Sequence, residues 1–326
     1  MINFMFQCKI CGNDKNNKTY TAKERIFGLD GEFQYLECSE CNCIQLLNIP
    51  PDMSLYYPKE QYYSLSSGEK YANKKSLANS IRRIQSDYLL FGKKRLLGSL
   101  LTAGYGSHGY FSWLKKIGAT YEMSILDVGC GGGELLFRMS RNGFKNLTGA
   151  DPFNEADIHS GVVHIYKKEI FALDTTYDFI MLNHSFEHME HPLEVLKKLY
   201  TLLKPGSFLL IRIPVSNAYC WEKYGTCWAP LDAPRHLHIQ SEKSMKLLSE
   251  QAGFELRDII HDGTAFQFWG SEQYLKGINL RAENSYDVDR HKSIFSRKQI
   301  RDFKTRIREL NKQHLGGQAQ FYLYKH

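Results

Sequence analysis

The chain has 326 residues, 43% hydrophobic and 24% charged, with a formal charge of +7; this suits a folded globular protein and excludes a disordered one. No apolar run approaches the roughly 18 residues that a membrane span needs. Met1 to Gln7 lacks a basic segment followed by an apolar core, so no secretory signal is expected and a cytoplasmic location is.

The first element is a cysteine module. Five of the eight cysteines precede residue 44, and Cys8-x-x-Cys11 and Cys38-x-x-Cys41 form two knuckles of the kind that binds tetrahedral zinc, with Cys43 as a spare ligand. The spacer reads as a hairpin, Lys18 to Phe27 and Phe33 to Glu37 around Leu29-Asp-Gly31. Four protein ligands would fill the zinc, making it structural. Cys130, Cys220 and Cys227 lack ligand spacing. The module is expected over 1–50, followed over 51–119 by a tyrosine-rich strap (Tyr56, Tyr57, Tyr62, Tyr63) and capping helices. Leu77, Ile81, Ile84, Tyr88 and Phe91 recur at helical spacing, predicting one or two helices within Lys74 to Leu101, and a short helix is expected around Phe111 to Ile117.

From residue 120 to 326, strands and helices alternate. Ser124 to Val128 predicts a strand, Gly129 to Gly133 a turn, and Leu135, Leu136 and Met139 the apolar face of a helix that closes at Asn142-Gly143. Asp151 ends the next strand, 20 residues beyond Gly131. A dinucleotide fingerprint fails, because its third glycine would fall on Glu134 or Leu136, and no Gly-Lys-Ser/Thr follows for a phosphate loop. An adenosyl ligand without phosphate remains. The segment resembles the first motif of class I S-adenosylmethionine-dependent methyltransferases. That resemblance implies an α/β fold with a doubly wound, mostly parallel seven-stranded sheet, here preceded by a small zinc-ribbon-like module, and S-adenosyl-L-methionine as cofactor.

Further strands are expected over Val162 to Tyr166, Tyr177 to Leu182, Ser207 to Ile213 and Phe254 to Ile260. Helices are expected over Pro192 to Leu203, stopped at Lys204-Pro-Gly206, and over Glu242 to Ala252. After a helical insertion over about 268–315, Gln318 to Tyr324 should pair antiparallel with Phe254 to Ile260, as the reversed seventh strand of that family does. Arg290 to Lys312 is basic at the spacing of a solvated helix face, with nucleic-acid contact as a secondary reading.

The resemblance implies roles by position. Gly129, Cys130 and Gly131 face the methionine part of the cofactor, and Asp127 orients that loop or the ammonium. Asp151 takes the ribose hydroxyls, Pro152 and Phe153 approach the adenine, and Glu169 (or Asp174) meets its amino group. Asn183-His-Ser-Phe-Glu-His188, followed by a proline-started helix at Pro192, is similar to ubiquinone-type O-methyltransferases, where this segment lies beside the sulfonium. For a hydroxyl acceptor a base is needed, and histidine suits it. His184, His188 and His191 form one cluster; the long loop from Trp228 to Ser241 holds another, with His236 or His238 as base and Arg235 as clamp for a phosphate or carboxylate.

The cysteine module, the tyrosine strap and the class I domain together resemble methyltransferases of bacterial sugar and surface-glycan pathways. Related sugar C-methyltransferases carry His-Glu-His where this chain has His236-Leu-His238, and a further C-terminal domain. Both departures point to O-methylation of a sugar, nucleotide-sugar or glycan precursor. An RNA methyltransferase and a phenol or quinone O-methyltransferase are the alternatives.

Overall fold

The structure is a computed structural model that describes residues 6–58, 77–105 and 108–326. Tyr62, Tyr63 and the start expected for the first helix lie outside the described residues. In chain order the strands and helices are β1 (Lys18–Lys23), β2 (Glu32–Glu37), β3 (Ile44–Leu46), α1 (Leu77–Phe91), α2 (Arg95–Tyr105), α3 (Tyr110–Lys116), β4 (Ser124–Val128) and α4 (Glu134–Arg141). There follow β5 (Asn146–Ala150), β6 (Ile158–Ser160), β7 (Val163–Tyr166), β8 (Tyr177–Asn183), α5 (Pro192–Leu202), β9 (Leu203–Pro214) and α6 (Tyr219–Tyr224). The chain ends with β10 (His238–Ile239), α7 (Glu242–Gln251), β11 (Glu255–His261), α8 (Phe266–Leu275), α9 (Arg297–Lys312) and β12 (Gln318–Lys325).

Two compact units interleave along the chain. The first comprises Met1–Gln61, His184–Tyr200 and Leu210–Tyr324; the second comprises Tyr62–Asn183, Thr201–Leu209 and Lys325–His326. In the second unit the strand order is β9-β8-β4-β5-β7-β6. β4 runs parallel to both β8 and β5, and β5 parallel to β7, the pattern of a Rossmann-like sheet. Ile125 to Val128 and Phe179 to Leu182 are buried at every position, as expected of central parallel strands covered on both faces. β6, a short antiparallel edge strand on β7, adds to the seven strands expected. Within the stretch expected to be helical, the described residues from Leu77 on form two helices, α1 and α2. Helix α5 ends at Leu202, just before Lys204-Pro-Gly206, and the chain passes directly into β9, which begins earlier than the Ser207 expected; Lys204 is held there by Asp178 at 2.8 Å.

In the first unit, β11 pairs antiparallel with β12, the expected reversed strand, with an irregularity between Leu256 and Asp258, and the order is β11-β12-β9. A second sheet runs β1-β2-β3-β10, so that the cysteine module's hairpin pairs through β3 with residues of the Trp228 to Ser241 loop. One core serves both segments: Phe33, Tyr35, Ile44 and Leu46 pack with Trp221, Trp228, Leu231, Phe268, Ile307 and Leu310. Helix α9, started by a capping box of Ser296 and Gln299, buries Ile300, Ile307 and Leu310 and leaves Arg297, Lys298, Arg301, Lys304, Arg308 and Lys312 exposed, which is the solvated-face geometry.

Candidate active site

The glycine loop lies in the second unit, between β4 and α4. Gly129, Gly131 and Gly133 have φ of 75°, 52° and 77°, the left-handed region that glycine enters without steric cost. A Cβ at Gly133 would also lie 2.1 Å from Ile165 Cδ1, so this turn tolerates no side chain. Asp151, at the end of β5, accepts hydrogen bonds from Gly131 N at 2.8 Å and Phe153 N at 2.9 Å, and Asn154 Nδ2 donates to Gly131 O at 2.9 Å. The acidic residue and the loop therefore hold each other in place. Asp127 is buried, and its carboxyl has no hydrogen-bond partner among the described residues; burial, and then the nearby Asp151, push it up to about 8. Burial, Asp127 and Asp151 likewise push the Cys130 thiol well up, so this residue offers its backbone rather than a nucleophile. Phe153 is 76% exposed directly after Asp151 and half-buried Pro152, and Glu169 is exposed ahead of the short turn Ile170–Ala172. Asn183 closes β8 and is half-buried.

The histidines belong to the first unit. His184 follows Asn183 in the chain with φ 57°, an unusual backbone for a residue with a side chain. Its Nδ1 lies 3.3 Å from Glu187 Oε1, and its Nε2 lies 2.8 Å from Arg212 Nη1. Arg212 can only donate, so Nε2 carries the lone pair and Nδ1–H donates to Glu187. Arg212 is itself fixed by Asp262 at 2.6 Å. Glu187 is fully buried. Burial alone would raise its carboxyl, but the hydrogen bond from His184 and the charges of His236, His188 and His184 outweigh it and hold it down to about 2. Its second oxygen, Oε2, is buried without a hydrogen-bond partner among the described residues.

His236 is buried, and Nδ1 lies 2.7 Å from Pro230 O, which fixes Nε2 as the lone-pair nitrogen; that atom lies 3.8 Å from both Glu187 Oε1 and Asp232 Oδ2. Burial, and then His188, bring it down to about 4 despite the two carboxylates. His188 Nδ1 lies 2.9 Å from Arg235 O, with the Tyr57 hydroxyl at 3.3 Å. Ligand atoms of Glu187, His188 and His236 all lie within 4.8 Å of one another, close enough to share a cation.

Residues 79–259, more than half of the chain, match the family described as "Methyltransferase domain". The chain belongs to this methyltransferase family. It is 31% identical over 119 residues to a ubiquinone biosynthesis O-methyltransferase of Serratia proteamaculans, a match that covers 33% of this chain and 49% of the relative. It is 28% identical over 167 residues to the Pseudomonas aeruginosa enzyme of the same name, covering 46% and 72%. The chain thus spans about half the length of the Serratia relative. A solved cyclopropane synthase from Mycobacterium tuberculosis superposes with a TM-score of 0.42 at 15% identity, covering 77% of this chain and all of that one. The glycine loop and the acid after β5 that are expected to hold S-adenosylmethionine both lie within the matched residues.

The loop fits that cofactor. Its backbone is bare where a ligand must come close, and the two buried carboxyls beside it, Asp127 and Asp151, are of the chemistry that an ammonium and a ribose diol would require. Of the four residues expected to do chemistry in this methyltransferase, only His184 is exposed, its side chain at 38%. Arg235 departs from the expected anion clamp. It is fully buried and binds Glu24 Oε1 at 2.7 Å, Asp232 Oδ1 at 2.6 Å and Tyr56 O at 2.9 Å. An Arg between two carboxylates has no charge to spare for an acceptor. Glu24 in turn accepts from the backbone N–H groups of Ile26, Phe27, Gly28 and Leu29, so Arg235 ties the turn after β1 to the Trp228 to Ser241 loop. His238 is buried with Nε2 on Glu190 O at 3.1 Å, and burial brings it down to about 4.

Sequence reading passed over Glu187, Glu24, Asp232 and Arg212. Arg212 had a signal, a lone charge in the apolar strand Phe208 to Ile213; Glu187 had one in its i, i+3 spacing from His184. Glu24 had none, because its partner lies 211 residues away.

The four knuckle cysteines of the methyltransferase converge, their sulfurs all within 4.8 Å. Cys8 and Cys41 sulfurs are 3.6 Å apart and Cys11 and Cys38 sulfurs 3.5 Å, against the ~3.8 Å edge of a tetrahedron with ~2.3 Å zinc–sulfur bonds. Backbone N–H groups of Ile10, Glu40 and Cys41 point at Cys8 or Cys38 sulfur at 3.4 Å, as suits thiolates. Cys43 stands apart, buried with its thiol on Ile44 O.

Proposed function

We propose that this methyltransferase transfers a methyl group to a hydroxyl of a small-molecule or glycan acceptor, with His184 as general base. The observation that carries the reading is the pairing of an exposed His184 with a buried, ionised Glu187, one residue along the chain from the end of β8. S-Adenosylmethionine supplies a methyl carbon activated by positive sulfur. Asp127 holds the ammonium, Asp151 the ribose hydroxyls, the Gly129 to Gly131 backbone the methionine part, and Phe153 packs on the adenine beside Pro152. Glu169 and Asn183 complete the adenine and methionine contacts.

The acceptor hydroxyl takes the place of Arg212 at His184 Nε2. As its oxygen bonds to the methyl carbon and the sulfur–carbon bond breaks, the proton passes to Nε2. Glu187 stabilises the resulting imidazolium through Nδ1–H, the service a buried carboxylate gives a catalytic histidine. His236, buried and brought down to about 4, fits a structural role, as does His238. Zinc on Cys8, Cys11, Cys38 and Cys41 braces the N-terminal sheet. That module, set before a class I domain, supports a sugar, nucleotide-sugar or surface-glycan precursor as acceptor. The ubiquinone biosynthesis relatives support a second reading, a phenol or quinol.

Methyl-labelled S-adenosylmethionine incubated with nucleotide sugars, glycan fractions, catechols and RNA separates these readings. Label in sugar that is lost in His184→Ala, by about 10²- to 10⁴-fold, supports the first; label in catechol selects the second, and label in RNA sinks both.

A further inference from the structure

Helices α1 and α2 form a hairpin in the second unit whose outer face is apolar. Leu96, Leu97 and Leu100 of α2 are 86%, 50% and 70% exposed. At about 100° per residue they fall within an arc of about 100°. Gly98 lies on the opposite side, where a Cβ would come 2.2 Å from Tyr88 Cβ of α1. The helix is therefore anchored by one face and presents three leucines on the other, with Phe91 exposed at the end of α1. Isolated exposed leucines are ordinary, whereas a contiguous stripe on one helix marks a contact surface.

The stripe is framed by positive charge. Lys93, Lys94 and Arg95 are consecutive and exposed, and between residues 77 and 105 five basic residues stand against the single acid Asp87. Beside them an open cleft of about 520 Å³ is lined by Asn79, Ser80, Arg83, Lys94, Ser140 and Arg141, with no carboxylate among the described residues that line it. Asp87, to one side, pairs with Lys94 at 3.1 Å and Arg83 at 3.6 Å and so orients both. No helix among the described residues is long and apolar enough to cross a membrane.

We propose that the α1–α2 hairpin docks the protein peripherally on an anionic phospholipid surface, with the leucines at the acyl boundary and a headgroup phosphate in the basic cleft. An apolar stripe with a basic border is the chemistry of an interfacial helix. A second copy of this chain suits it less, since pairing the stripes would bring two basic borders together, while anionic lipid neutralises them. The surface contains none of the residues assigned to methyl transfer, so the inference stands independently of the acceptor.

Flotation of the full chain with vesicles tests this, using phosphatidylcholine alone or mixed equally with phosphatidylglycerol. Binding is expected only to the mixed vesicles, weakening as ionic strength rises past about 0.1 M. Leu96→Gln with Leu100→Gln should lower it at least about tenfold, and Arg141→Gln should lower it further at low salt. Calorimetric S-adenosylmethionine affinity should stay unchanged in each variant, confirming the fold; Leu96→Gln alone, at the most exposed position, serves if the pair fails to fold. Absence of vesicle binding, equal binding to both lipids, or binding that survives the leucine changes would overturn the proposal. A light-scattering dimer that the leucine changes dissociate, without vesicle binding, would assign the face to a second copy instead.

Discussion

Asp127 shows how one residue can be costly to the free protein and useful to the complex. Its folded carboxyl titrates at about 8, far above the ordinary value, because burial and Asp151 disfavour its charge. For an acid whose folded value is raised, the folded state keeps a proton that the unfolded chain releases, so stability falls as pH rises from about 4 to about 8. A bound ammonium would reverse that preference by pairing with the ionised form. Binding of S-adenosylmethionine near neutral pH should therefore release a proton, and its affinity should climb with pH and level off above about 8. Asp127→Asn should raise the melting temperature of the free protein at pH 8, weaken cofactor binding and abolish the proton release. Calorimetry in buffers of different ionisation enthalpy reads the release directly; an unchanged proton count in the variant would place the ammonium elsewhere.

The same scale shows where reading a sequence stops. The positions of Asp127 in β4 and of Asp151 against the glycine loop were legible, because a strand–glycine–helix unit sets them by local spacing. Arg235 was misjudged because its type and loop setting suit an anion clamp equally well, and only burial beside Glu24 and Asp232 decides otherwise. His184 and His236 are the same residue type in comparable loops, yet one is exposed and the other buried. Nothing within a few residues of either encodes that difference.

At the scale of elements, hydrophobic alternation and caps were legible: the hairpin β1–β2 and the proline-started α5 follow from local pattern, whereas the antiparallel β11–β12 pair was expected from the family resemblance. The pairing of β3 with β10 was not, because two residues, His238 and Ile239, are too short a strand to show a period. That pairing links the cysteine module to the histidine loop. Tyr35 of β2 donates to His236 O at 2.9 Å, and the Ser241 hydroxyl bonds to Cys41 O. Zinc loss should therefore reach the loop. Purified protein is expected to carry one zinc per chain by mass spectrometry of the metal, and Cys38→Ser or strong chelation should lower kcat by disordering residues 228–241 while the affinity for S-adenosylmethionine holds. Full activity of metal-free protein would mean that the sheet stands without it.

At the scale of the whole molecule, the residues proposed for the cofactor and those proposed for the base belong to different compact units. Asp127, Gly129, Gly131, Asp151, Glu169 and Asn183 all fall in the second unit, and His184, Glu187, His188, Arg235 and His236 in the first, with the division passing between Asn183 and His184. Variants on the two sides should then affect different quantities. Asp151→Ala removes the partner of Gly131 N and the carboxylate proposed for the ribose diol, and should weaken S-adenosylmethionine binding strongly for every acceptor. Glu187→Gln keeps the shape but loses the charge behind His184, and should leave that binding within about twofold while lowering kcat by about 10²-fold or more. The pH–rate profile of Glu187→Gln should shift with it, since the imidazolium loses its counter-charge, whereas a merely structural glutamate would leave the profile in place. Cofactor affinity that collapsed in Glu187→Gln, or turnover that survived it, would show that the histidine cluster serves the fold rather than the transfer, and the search for the base would move to the acceptor itself.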